Sequence, residues 1–218
     1  MIDITRQEVS QALKSMQGFM VDLRDLHHKH SMDFDGNIGR RNIMMSAAQE
    51  HFFVEAFKRS FPEAASDGKT GRPDISLSDS KELECKLTSP SKNGGINLQT
   101  DWDTLQKKSN LDYLYVVADQ EFQKFNVLYF KSLDASDYYP PSATSRGRAK
   151  MKKYNAMKKC HVLWGDVIDG RERDLASMRA ALEAATPRAQ KTRKKLEDRI
   201  IKLEQSESYY TFVLETVC

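Results

Sequence analysis

The chain has few means of covalent or metal cross-bracing. Its 218 residues include three cysteines, Cys85, Cys160 and Cys218, odd in number, widely spaced and without a CxxC pair. That excludes a disulfide framework and a zinc site, and leaves Cys85 to be read as a core thiol. Long apolar runs are also missing: no stretch approaches the roughly 20 residues that span a bilayer. Met1-Ile2-Asp3-Ile4 begins no secretory signal, so the expectation is a cytoplasmic protein without a membrane role. No phosphate loop, dinucleotide fingerprint, internal repeat or heptad run is present, and nothing suggests ATP-driven action. His27, His28 and His30 lack the i, i+4 spacing of a zinc-binding helix.

What is present suits one compact core with a small helical appendage, since 39% of residues are hydrophobic and 30% charged. The formal net charge of +3 is unevenly spread. Arg146, Arg148, Lys150, Lys152, Lys153, Lys158 and Lys159 lie in one short stretch with no acid, so the rest of the chain is net negative. Such a run is a candidate phosphate-binding surface, and Gly147, Tyr154 and Asn155 interleaved with it suit a segment that closes on a nucleic-acid backbone. Taken alone, it reads rather as a solvated charged face, and only beside a nuclease motif does the reading turn towards DNA.

The most specific signal lies upstream. Gly71-Arg72-Pro73-Asp74-Ile75 is followed, with nine residues between Asp74 and Glu84, by Glu84-Cys85-Lys86. Glu82, Glu84 and Lys86 alternate with Leu83, Cys85 and Leu87, and a period of two places Glu84 and Lys86 on the same face of a strand. Ile75 and Leu77 alternate in the same way in the strand before, and Ser78-Asp79-Ser80 supplies turn residues. A three-residue turn sets Asp74 across from Glu84. Two carboxylates on adjacent strands can hold Mg²⁺, which takes oxygen ligands, and a neighbouring lysine can position water and offset developing negative charge.

At these residues the chain resembles the PD-(D/E)XK nuclease superfamily, and in size and organisation a type II restriction endonuclease. The resemblance runs, in order of elements, over about residues 40–135. It implies a restriction-endonuclease-like α/β core, with a mixed central sheet flanked by helices. It also implies that Asp74 and Glu84 bind Mg²⁺, that Cys85 adds its backbone carbonyl, and that Lys86 orients the attacking water. Many members add a glutamate from the preceding helix. Glu50 shares a stripe with Ile43, Ala47, Val54 and Phe57 and is chosen for that role over Glu55, which lies on the other side.

The remaining pattern is read coarsely as a single domain, 1–218. Residues 1–40 form an N-terminal helical segment in which Val9, Leu13, Met16 and Met20 share a face; 41–135 form the catalytic core, with a helix over 42–59. The loop after the catalytic strand carries Lys92, and Asn97 and Gln99 follow as candidate DNA contacts. A short helix over 101–108 and strands over 111–118 and 125–133 extend the sheet. Residues 136–218 hold the basic segment, a strand over 161–168, an added C-terminal helical hairpin (171–185 and 187–205, the second capped by Thr186 with Pro187 first) and an edge strand over 209–217.

The expected function is Mg²⁺-dependent cleavage of double-stranded DNA at a short specific sequence, by a homodimer, since one site per chain meets two strands. A cognate DNA methyltransferase acting on the same sequence is an implied partner. A structure- or damage-directed repair or phage nuclease would use the same residues, and a non-catalytic DNA-binding protein would use the basic segment alone.

Overall fold

The protein is described by a computed structural model covering residues 4–36, 38–66, 69, 73–91, 95–186, 189–206 and 209–217. Two compact units emerge, one formed by Met1–Asp166 with Val213–Cys218 and the other by Val167–Phe212. Helix α1 (Arg6–Lys29) opens the first unit. Thr5 caps it by a reciprocal box in which its hydroxyl accepts from the Glu8 amide (3.2 Å) and the Glu8 carboxylate accepts from the Thr5 amide (2.7 Å). Val9, Leu13, Met16 and Met20 form its buried stripe as the spacing requires.

Helix α2 (Ile38–Phe57) buries Val54 and Phe57 of the expected stripe but not Ile43 or Ala47. Arg41, Met45, Ala48, Gln49, Phe53 and Phe57 are buried, whereas Ile43 is 71% exposed and Ala47 is exposed. The helix is apolar around most of its circumference, so periodicity leaves its orientation open. Burying Met45 and the ring of Phe53, which meets Phe57 edge to face at 5.4 Å, gains more apolar area than burying Ile43 and Ala47.

The strands of the first unit are β1 (Ile75–Ser78), β2 (Lys81–Thr88), β3 (Gln99–Asp101), β4 (Leu111–Ala118), β5 (Lys124–Leu133), β6 (Tyr138–Tyr139), β7 (Arg148–Met151) and β8 (Cys160–Trp164). Short helix α3 (Trp102–Lys107), capped by Asp101, follows β3, and α4 (Lys153–Ala156) follows β7. Beyond β8, β9 (Asp166–Asp169), α5 (Gly170–Ala184), α6 (Gln190–Glu204) and β10 (Tyr210–Val213) lead to β11 (Glu215–Thr216). The main sheet runs β1-β2-β4-β5, with β8 and β11 both pairing to β5. Only β2 and β4 pair in parallel, so the sheet is mixed.

One face of this sheet, carrying Ile75, Leu77, Leu83, Cys85, Leu114, Val116 and Ala118, joins the core with α1 and α2. The other face carries Tyr113 and Tyr115 on β4, and a second sheet of order β3-β7-β6 lies over it. That sheet buries Thr100, Ala149, Met151 and Tyr138. Hydroxyls stitch the two together: Thr100 with Tyr113 at 3.0 Å, Tyr115 with Tyr138 at 3.2 Å, and Tyr115 donating to the Gln99 carbonyl at 3.0 Å. Strand β4 is thus covered on both sides, which explains its nearly unbroken apolar sequence.

Two expected strands prove to be pairs. The strand over 161–168 breaks at Gly165, whose φ of +72° sends β8 into the main sheet and β9 into a ribbon with β10. The strand over 209–217 divides into β10 and β11. In the second unit α5 and α6 form the expected helical hairpin, closed by Arg193, which donates to the carbonyls of Leu182 (2.9 Å) and Ala185 (2.8 Å). Helix α6 is capped by Ala189 without a side-chain bond, so Thr186 is not its cap; Pro187 lies outside the described residues.

Candidate active site

The β1-β2 hairpin fixes the geometry through an irregularity. Its turn has two residues, Asp79 and Ser80, and pairs Ser78 with Lys81. Continued unchanged, that register would face Asp74 towards Cys85. A shift between Ser76 and Ser78 restores Ile75 to Leu83 and Ser76 to Glu82, which extrapolates to Asp74 opposite Glu84. The expected three-residue turn is therefore a two-residue turn plus a bulge, with the same outcome at the aspartate.

Asp74 sits just before β1, where its Oδ2 accepts the Cys85 amide at 2.7 Å. This bond pins the carboxylate to the edge of β2 and satisfies an amide that lies beyond the paired length of β1. Lys86 Nζ lies 2.7 Å from Glu84 Oε1 and 3.6 Å from Asp74 Oδ2. The side chains of Asp74 and Lys86 are each 26% exposed and that of Glu84 13%, so the cluster is reachable yet largely withdrawn from water. Burial pulls the Lys86 pKa down, but Glu84 and Asp74 push it up by more, leaving it above its ordinary value. Lys86 is a fixed cation at neutral pH.

Glu50 on α2 feels the charges of the same cluster. Its pKa is raised by burial first and then by the charge of Asp74, offset by Lys86 and by the Ser66 hydroxyl at 3.5 Å, with Glu84 adding to the rise. Glu55 pairs with Lys58 at 2.5 Å, whereas Glu50 feels the charges of Asp74, Lys86 and Glu84. Two carboxylates, Asp74 and Glu84, thus share the one ammonium of Lys86.

Among the described residues no set of three or more His, Cys, Asp or Glu side chains is drawn together closely enough to hold a metal ion. The donors nevertheless suit one by type: Asp74 and Glu84 are hard oxygen ligands sharing Lys86, and Mg²⁺ binds through one or two carboxylates while keeping several waters. The Cys85 thiol is buried on the opposite, core face, where burial holds its pKa well above the ordinary value, so it takes no part.

Two neighbours were not legible in the sequence. Gln49 is buried at 1% exposure, and its amide approaches the Lys86 carbonyl at 3.5 Å, tying α2 to the edge of β2. A buried stripe of Met45, Gln49 and Phe53 would have found it. Tyr113, the register partner of Glu84, has its pKa pushed up to about 12, by burial first.

The basic stretch does not form one surface. Arg146, Arg148, Lys150 and Lys158 are exposed. Lys159 instead pairs with the buried Asp137 at 2.7 Å and donates to the Ser132 carbonyl at 3.1 Å. Lys153 donates to the Ile96 carbonyl at 2.6 Å, and burial lowers its pKa. Lys152 donates to the Ser136 carbonyl at 3.2 Å with its ammonium over the Tyr139 ring. Gln99 borders Lys150 across the β3-β7 pair, Asn97 is exposed, and Lys92 lies outside the described residues. His27 Nδ1 donates to the Leu23 carbonyl, and His28 faces Asp35 at 3.7 Å, so these histidines do not converge. Among the described residues no helix is long and apolar enough to cross a membrane. No family model, curated protein or solved structure matches the chain.

Proposed function

We propose that the chain is a Mg²⁺-dependent endonuclease that hydrolyses phosphodiester bonds of double-stranded DNA at a short specific sequence, in the manner of a type II restriction enzyme. The observation that carries this reading is the meeting of Asp74, Glu84 and Lys86 on one hairpin, with Glu50 joining from α2. The resemblance of those residues to the PD-(D/E)XK pattern and the mixed α/β sheet support it. Mg²⁺ held by Asp74, Glu84 and the Cys85 carbonyl would supply Lewis acidity towards the phosphoryl and leaving oxygens.

The chain's own groups do the rest. Lys86, kept protonated by its two carboxylates, orients the attacking water by hydrogen bonding and offsets charge as it builds on phosphorus. Because it stays charged, it is not the base. Glu50, with its raised proton affinity, is the better acceptor for the proton leaving that water. One site per chain and two strands per duplex call for a two-fold homodimer. A cytoplasmic enzyme of this kind needs a methyltransferase that protects the same sequence.

The test is to incubate unmethylated phage DNA with the protein and Mg²⁺ and to sequence the ends. Discrete fragments with one shared end sequence are expected; indiscriminate degradation would replace the sequence-specific reading, and binding without cutting would remove the enzyme reading. Asp74→Ala, Glu84→Ala and Lys86→Ala should each slow cleavage by at least about a hundredfold. The two carboxylate variants should retain DNA binding in Ca²⁺. Turnover within about tenfold of the parent in any of the three would overturn the assignment of that residue.

A further inference from the structure

The second sheet carries a basic outer face. Strand β7 alternates, so Arg148 and Lys150 face outward while Ala149 and Met151 are buried. Register sets Lys150 beside Gln99 on one neighbour and beside Tyr139 on the other, placing an amide, an ammonium and a phenol in one row. Tyr139 is 57% exposed. Among the described residues Arg148 and Lys150 form no ion pair, unlike Lys159 on the same stretch. The acid nearest in register, Asp101 opposite Arg148, spends its carboxylate on the Thr104 amide at 2.8 Å.

Position gives this face its meaning. The inner side of the same sheet lies on Tyr113 and Tyr115, which are the parallel register partners of Glu84 and Lys86. The grip and the carboxylate cluster therefore share one face of the main sheet. Resting on the nuclease reading, we propose that the outer face of β3-β7-β6 holds the substrate duplex, with Arg148 and Lys150 on backbone phosphates and Gln99 and Tyr139 beside them facing the nucleotides. Lys153 and Lys159 brace this sheet from within and do not touch DNA. Phosphate contacts of this kind release counterions and make affinity depend steeply on salt, whereas contacts from the flanking amide and phenol do not.

The experiment is a salt titration of binding to a fluorescent mixed-sequence duplex in Ca²⁺, which separates binding from cutting. Arg148→Gln/Lys150→Gln should reduce the slope of log K against log salt by about 1.8, at roughly 0.9 per lost phosphate contact. Lys124→Gln/Lys131→Gln removes the same charge from exposed positions on β5 and should leave the slope unchanged. A folded Arg148/Lys150 variant with the parent's slope overturns the proposal, as does an equal loss in the Lys124/Lys131 variant. If the double variant melts below the parent, the single Lys150→Gln, with half the slope change, decides the matter. A parent that cuts DNA while the variant binds normally removes this surface and leaves the nuclease reading standing. A parent that binds but never cuts removes the nuclease reading, and the slope still judges the surface. A parent that binds no DNA removes both.

Discussion

At the scale of the residue, Glu50 shows how a site can be held at a cost to stability. Its carboxylate is pressed by burial and by Asp74 and Glu84, and Lys86 offsets only part of that. The sign follows from the raised pKa. The folded state binds this proton more tightly than the unfolded chain does, so stability falls as pH rises from the unfolded pKa, about 4.3, through the folded value, and stays lower above it. Glu50→Gln should therefore stabilise the metal-free protein at neutral pH, and hardly at all at pH values below that window. Thermal melts at the two pH values in a chelator check this; an equal gain at both would show that charge is not the cause. Mg²⁺ or Ca²⁺ should raise the melting temperature of the parent by binding the folded state, and should do so much less in Asp74→Ala.

At the scale of the element, what was legible depended on how local the determinants are. The alternation of Glu84 and Lys86 with Leu83 and Cys85 is written within a few residues, and β2 follows it. The bulge that faces Asp74 towards Glu84 is not, because turn residues at Ser78-Asp79-Ser80 fit two lengths equally well. The orientation of α2 was hidden by apolar residues on nearly every side, and Met45 and Phe53 go inward in place of Ile43 and Ala47. The second sheet joins residues 99–101 to 148–150, a pairing no local pattern announces. Gly165 shows the same limit, since neither its neighbours nor its period mark the break between β8 and β9. Gly147 and Gly165 have nearly the same φ, +77° and +72°, but different surroundings. A methyl at Gly147 meets nothing nearer than Asp101 Oδ2 at 4.0 Å, while at Gly165 it would run into the Val213 and Phe125 carbonyls and the Asn126 amide. Gly147→Ala should cost about 1 kcal/mol, the left-handed backbone alone, and Gly165→Ala clearly more. Denaturant melts of both variants measure the difference, and equal losses would remove the crowding from the account.

At the scale of the whole molecule, the second unit enters and leaves the first through adjacent points. The buried Asn126 amide on β5 donates to the Asp166 carbonyl at 2.9 Å and to the Val213 carbonyl at 3.3 Å, so one side chain clasps both ends. The chain between them, Val167–Phe212, holds its own ribbon and helical hairpin with a thin core of Leu175, Ile200 and Phe212. The core of the first unit is composed without it: the buried cluster runs from Ile4 to Trp164 and draws on no residue of the second. Chain termini that lie side by side can be rejoined by a short linker at little entropic cost, because loop closure grows only slowly with length. Replacing 167–212 by a short Gly-Ser linker should therefore leave a protein that melts cooperatively and keeps the Asp74, Glu84 and Lys86 cluster and, on the proposed nuclease reading, the Mg²⁺-dependent cleavage of the parent. Circular dichroism with thermal melting and a plasmid-cleavage assay check the two halves of this expectation. A chain that melts without cooperativity would mean that the first unit depends on the second to fold. A cooperative melt with cleavage lost would assign the hairpin a part in the reaction, and the dimer contact expected of a two-strand cutter would then be sought on α5 and α6.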